Sequence, residues 1–283
     1  MKQRLLTALV GVSVAIAWLF TIYTPAFAII LAVIAVIGEF EMLRVFEVKN
    51  VPFKVLCLIM TAGIMIYPDY SDKLHVPMFP AVTAVVLVSL IIMVLDFEKL
   101  RFEQVVCSLF AGALIPASLS CVVLFRDVYK TFPAIFIKSD GIFFILFAFF
   151  CSWMTDGCAL FAGKAFGKHK LAEKVSPKKT VEGLVGGLLT SVIICLAAAY
   201  VYETWISPET TVNLLLLAAV TLCGAVLSVF GDLLASLIKR QSGIKDFGNL
   251  MPGHGGVMDR FDSLLLTAPL VVLAVTQLPI FGA

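Results

Sequence analysis

The sequence predicts an all-α, polytopic integral membrane protein of about nine transmembrane helices with a cytoplasmic N-terminus. Three observations carry this. First, 61% of the 283 residues are hydrophobic and 14% charged, against about 45–50% apolar and about 25% charged in ordinary soluble domains. Second, with a mean hydropathy of +1.04, the apolar residues fall into runs of roughly 20, the length that crosses a ~30 Å hydrocarbon core. Only helices suit such runs, because each must satisfy its own backbone polar groups. Third, the cations lie unevenly between the runs.

The predicted spans are residues 5–23, 27–46, 52–67, 77–95, 105–125, 141–163, 183–202, 212–238 and 263–281. The first follows Lys2 and Arg4. Ala26-Phe27-Ala28 mimics a cleavage site, but the apolar sequence resumes at Ile29, so an uncleaved first span is expected. Pro25, Pro52, Pro68, Pro77, Pro133, Pro208 and Pro252 fall between spans or at their ends, where a missing amide costs little. The third span, with Gly63 inside it, has the weakest pattern. Phe143-Phe144 and the run from Phe147 to Phe150 in the sixth read as packing or lipid-facing residues. The eighth, at 27 residues, would extend about 40 Å, beyond what the bilayer core demands.

With the N-terminus inside, seventeen of the 21 Lys and Arg residues fall on one face, and Lys73, Arg126, Lys130 and Lys138 on the other. This asymmetry fixes the orientation. A net charge of +2 argues against nucleic-acid binding. Cys57, Cys107, Cys121, Cys151, Cys158, Cys195 and Cys223 all sit in apolar runs without metal-ligand spacing, and read as small buried residues.

Residues 1–135 read as scaffold and lipid-access helices. Residues 136–283 form the catalytic region, with cytoplasmic loops 164–182 and 239–262 that are too polar and too rich in Gly and Pro to be mere connectors. Asp232 lies at the cytoplasmic edge of the eighth span, and Asp232, Ser236, Lys239 and Arg240 share one helical face. A carboxylate there is a functional candidate; the bland alternative pairs it with Lys239 or Arg240. Beyond it run Lys245-Asp246, then Pro252-Gly253-His254-Gly255-Gly256, then Asp259-Arg260-Phe261-Asp262. Glycines permit close backbone approach, carboxylates hold Mg2+, and cations neutralise phosphate, a mix suited to a metal-bound polyphosphate.

As a unit, S-x2-K-R-x4-K-D-x5-P-x-H-G-G-x2-D-R-x-D from Ser236 to Asp262 resembles the signature of the phosphatidate cytidylyltransferases, with twelve fixed positions in 27 residues. The resemblance extends to Gly231-Asp232-Leu233, to the SPKKT-x-EG pattern of Ser176–Gly183, and to Gly163–Lys170. Two positions depart from the family pattern. Asp156-Gly157-Cys158-Ala159 stands where Asp-Thr-Gly-Ala is common, and Ala235 where Glu often precedes the serine.

The resemblance implies transfer of CMP from CTP to phosphatidic acid, giving CDP-diacylglycerol and pyrophosphate, with Mg2+ and room for a second cation. It implies Asp232 and Asp259 as metal ligands, and Lys239, Arg240, Lys245 and Arg260 on phosphates. Ser236 would donate to phosphate or complete the metal shell. Gly253, Gly255 and Gly256 would let amides approach. Ser176, Lys178, Lys179 and Thr180 suit CTP or the lipid phosphate, and Asp156, Asp246, His254 and Asp262 join the substrate-binding set. CTP, phosphatidic acid and membrane lipids are the expected partners, with no nucleic acid and a homodimer as the expected assembly. A bacterial inner membrane, with the site at its cytoplasmic face, is the expected location. Alternatives are a cytidylyltransferase for another lipid phosphate and a secondary transporter. The transporter predicts ionisable residues near the midplane in both halves, whereas here they collect on one face.

Overall fold

A computed structural model describes residues 11, 13–74, 77–251, 253 and 255–282. Pro252 and His254 of the signature lie outside the described residues, as does most of the charged N-terminal segment. The chain is mainly helical. Residues 13–19 are helical, followed by α1 (Pro25–Val45), α2 (Val51–Leu74), α3 (Met78–Leu95), α4 (Phe102–Thr131), α5 (Lys138–Phe149), α6 (Thr155–Phe166), α7 (Val181–Val201), α8 (Leu214–Gln241) and α9 (Met258–Gln277). Among the described residues seven helical stretches are long and apolar enough to cross a membrane, with α5 and α6 counted as one.

The prolines show why helices start where they do. Pro25 opens α1 just after Thr24, and Pro77 stands immediately before α3; in the first turn the absent N–H would have had no helical partner anyway. Pro68 is a correction, since it lies inside α2 and not at a span end. The sixth expected span is likewise no plain α-helix: a π-helical turn, Phe150–Met154, joins α5 to α6 immediately before Asp156. The loop expected at 164–182 contains structure of its own. Strands β1 (Lys170–Ala172) and β2 (Ser176–Thr180) pair antiparallel, with Lys170 opposite Thr180 and Ala172 opposite Ser176. A second short ribbon pairs β3 (Thr211–Val212) with β4 (Phe281–Gly282).

Two compact units form. The first comprises residues 1–120 and 242–260, the second 121–241 and 261–283. In the first, Leu43, Val48, Phe53, Cys57, Leu100 and Val105 make a buried cluster. The turn between α1 and α2 is fixed beside it: Asn50 accepts from the Phe53 amide at 2.8 Å and donates to Asp96 at 2.7 Å. Of α3 only Ser89 is buried, as befits a helix solvated by lipid.

In the second unit, Phe136, Phe143, Phe144, Tyr202 and Phe281 cluster. Asp140 ties this end together, accepting from the Ile137 amide at 2.7 Å and from the Tyr202 hydroxyl at 2.5 Å. The cysteines follow expectation in part. Cys57, Cys121, Cys151 and Cys195 are buried, but Cys107 and Cys223 are exposed and Cys158 half-buried; all seven are free thiols. An exposed thiol on an apolar helix needs no partner when lipid is its solvent.

Candidate active site

Asp232 lies two turns from the C-terminal end of α8, and the residue before it explains what can approach. A Cβ on Gly231 would lie 2.6 Å from the carbonyl oxygen of Asp262 and 2.9 Å from Cα of Ser263. Glycine therefore lets the start of α9 press against α8, which brings Asp262 near Asp232. Asp156 of α6 completes the group. The Ser263 hydroxyl donates to Asp156 at 2.5 Å, and Asp156, Asp232 and Asp262 are near enough to act on one another electrostatically. Three acidic groups gather here.

The cation that meets them is Lys179, its Nζ 2.7 Å from Asp232. Helical spacing, which offers Lys239 and Arg240, does not reveal this partner. Ser236 stays on the Asp232 face, donating to it at 3.4 Å. Lys239 is buried near Asp262. Arg240 reaches the ribbon, its Nε donating to the Val175 carbonyl at 3.4 Å.

Lys179 is placed by the ribbon, and the ribbon by Glu182 in the first turn of α7. That carboxylate accepts from the Lys168 amide at 3.0 Å and the His169 amide at 3.2 Å, and bonds the His169 ring Nδ1 at 2.6 Å. Thr180 caps α7, its hydroxyl accepting from the Gly183 amide at 3.1 Å. A Cβ on Gly183 would meet the Ala159 carbonyl at 2.7 Å, so α7 and α6 touch at their backbones. The SPKKT-x-EG pattern is thus one folding unit: ribbon, cap, clamp and close contact.

Together these elements enclose a cavity of about 260 Å3 lined by Asp156, Asp232, Ser176, Lys178, Lys179 and Thr180 among others. A larger cavity, of about 450 Å3, is walled by Phe143, Phe147, Ala198 and Val201 with only Ser139 and Tyr202 to offer polar groups. It holds no charge and is not a candidate for phosphate chemistry.

Asp259 belongs to the first unit. One of its oxygens accepts from the Phe247 and Gly256 amides, both at 2.9 Å, which folds the signature segment back on the start of α9. Gly255 has φ +84°, where a side chain is strained, and a Cβ there would meet the Asp259 carboxylate at 2.7 Å. Gly253 is also left-handed, at φ +78°. Lys245, Asp246 and Arg260 are exposed.

Glu41, an acid inside the second apolar run, is not among the site residues that the sequence predicts. In the structure it is buried, and its two oxygens accept from the Val257 amide at 3.0 Å and the Met258 amide at 2.9 Å, at the start of α9. Gly248 and Gly256 leave no room for a Cβ beside it. The legible signal was the carboxylate itself, since an acid inside an apolar span needs a partner. Ser263, which holds Asp156, left no such signal.

Mg2+ takes hard oxygen donors, and one or two carboxylates with phosphate oxygens and water are its usual set. The Asp156, Asp232 and Asp262 group fits that donor chemistry, and Asp232 already faces one cation, Lys179. Among the described residues no set of three or more His, Cys, Asp or Glu side chains is arranged to hold an ion alone. Substrate oxygens would therefore have to share in its coordination.

Comparison with known proteins gives a consistent result. Residues 2–278 match the profile of the cytidylyltransferase family. A phosphatidate cytidylyltransferase of Staphylococcus aureus is 33% identical over 280 residues, covering 98% of this chain and all of that protein. Those of Staphylococcus haemolyticus and Staphylococcus epidermidis are 32% and 31% identical over 282 and 279 residues, again covering 98% of this chain and all of each relative. Matched by the family profile along nearly its whole length, the chain belongs to the cytidylyltransferase family.

Proposed function

We propose that the protein transfers CMP from CTP to phosphatidic acid, forming CDP-diacylglycerol and pyrophosphate. One observation carries this reading: Asp156, Asp232, Lys178 and Lys179 line a single cavity in a membrane-embedded family member whose relatives are named for this reaction. An oxygen of the lipid phosphate attacks the α-phosphorus of CTP. The bond from that phosphorus to the bridging oxygen breaks, and pyrophosphate leaves with the electron pair. A phosphate is largely ionised at neutral pH, so no strong base is needed. The enzyme's task is to hold two anions in line and to offset their charge.

Lys178 and Lys179 supply positive charge in the cavity, while Lys239, Arg240, Lys245 and Arg260 supply it along the signature. Ser236, beside Asp232, orients that carboxylate or donates to phosphate. Asp232 would hold Mg2+, and the resemblance adds Asp259 as a second ligand, with room for a second cation. When bound, Mg2+ would supply positive charge that offsets the charge of the phosphates. Nine spans with the N-terminus inside, a homodimer, and a bacterial inner membrane with the site at its cytoplasmic face complete the proposal. The lysine and arginine asymmetry supports the orientation.

The test incubates purified protein with labelled CTP, Mg2+ and a panel of lipid phosphates. Lipid-linked CMP and pyrophosphate should form with phosphatidic acid. Transfer to another lipid phosphate alone would redirect the assignment, and no product with any member would refute it.

A further inference from the structure

CTP and the lipid phosphate both compete for the cavity at Lys178 and Lys179, and its walls decide between them. Leu160, Leu171, Leu184 and Val229 line it beside the charged and hydroxyl groups. Leu160 is 49% exposed and its neighbour Phe161 71% exposed, on a helix that forms part of a membrane-crossing stretch. An exposed leucine on such a helix faces hydrocarbon, so the cavity wall continues into the lipid-facing surface. Lys178, Ser176 and Thr180 of β2 line it as well, together with Lys179 and the Asp156 and Asp232 carboxylates. Lysines, carboxylates, hydroxyls and an apolar mouth thus lie within one small space, and Lys178 is the lysine not paired with Asp232 in it.

A soluble nucleotide gains nothing from such a mouth. Its base calls for a stacking ring or for amide groups matching its hydrogen-bonding edge, and the lining contains no aromatic residue, Asn, Gln or Arg. A lipid phosphate fits both ends, with its anion at Lys178 and its chains leaving past Leu160 and Leu184. We infer that this cavity is the lipid-phosphate subsite, with Leu160 and Leu184 guiding the first carbons of the acyl chains. The polyphosphate of CTP is left to other cations of the signature. This rests on the proposed reaction, but its test separates the two.

Lys178→Ala, Leu184→Trp and Leu160→Trp variants are assayed in mixed micelles with phosphatidic acid and CTP varied independently. Each should raise the surface KM for phosphatidic acid by about tenfold while leaving the KM for CTP within about twofold, the signature of lost ground-state binding to one substrate. Lys178 is exposed, so its variant guards against misfolding of the tryptophan pair. In parallel, wild-type protein is photolabelled with a phosphatidic acid carrying a diazirine near the head of one chain. Label should appear in the peptides containing Leu160 or Leu184, and unlabelled phosphatidic acid but not CTP should suppress it. A KM change confined to CTP, equal changes in both, or label elsewhere overturns the assignment. Labelling at these leucines without turnover would refute the proposed reaction and leave the subsite standing.

Discussion

At Glu41, two backbone N–H groups at the start of α9 share one side chain, each bonded to a different oxygen. The geometry demands a carboxylate. Glutamine offers one acceptor oxygen, and its NH2 would face the second N–H, leaving that buried donor unsatisfied at a cost of about 1–3 kcal/mol. Glu41→Gln should therefore insert in the membrane and bind substrate, yet lose about tenfold or more in kcat as the segment bearing Asp259 loosens. Thermal unfolding and steady-state kinetics check it; unchanged kcat would show that the segment is held by other means. Asp259 differs in kind, since the Phe247 and Gly256 amides converge on one of its oxygens. The family resemblance implies a chemical role for Asp259 and none for Glu41, because a helix N-terminus that folds back on a span more than 200 positions earlier leaves no local pattern.

The ribbon shows what loop chemistry conceals at the level of elements. Its residues were legible as a cationic, hydroxyl-rich set, but not its pairing, because three- and five-residue strands carry too little alternation to be told from a turn. Glu182 holds its base through the Lys168 and His169 amides and the His169 ring. Glu182→Ala should leave α7 in place, since Thr180 still caps it, but free the ribbon and with it Lys179. Limited proteolysis around residues 172–176 should accelerate, and kcat should fall by about tenfold, with partial recovery in Glu182→Gln. Equal protease resistance in the alanine variant would remove the clamp. The helices were far easier to foresee, because twenty apolar residues have one solution in lipid. What escaped was their irregularity: Pro68 within α2, and the π-helical turn before Asp156.

For the whole molecule, the apolar character and the crowding of cations on one side predict a measurable topology. A cysteine placed at Lys174 in the ribbon should react with a membrane-impermeant thiol reagent only from the cytoplasmic side, and one at Glu209, between α7 and α8, only from the opposite side. The exposed Cys107 and Cys223 are first replaced by serine. Labelling of both positions from one side would overturn the N-in orientation. The signature stands out in the sequence because charge is scarce here, but its spacing does not reveal that residues 242–260 group with the N-terminal helices and not with the helices that flank them.

The π-helical turn Phe150–Met154 has a consequence for comparing sequences. Its wider i to i+5 loop takes up one more residue than an α-turn, so the α-helical stretches on either side keep their facing while the count between them grows. Rotation and residue number are uncoupled at this point. A relative whose span is α-helical throughout would align here with a one-residue gap, and its aspartate would still present to the same neighbours as Asp156.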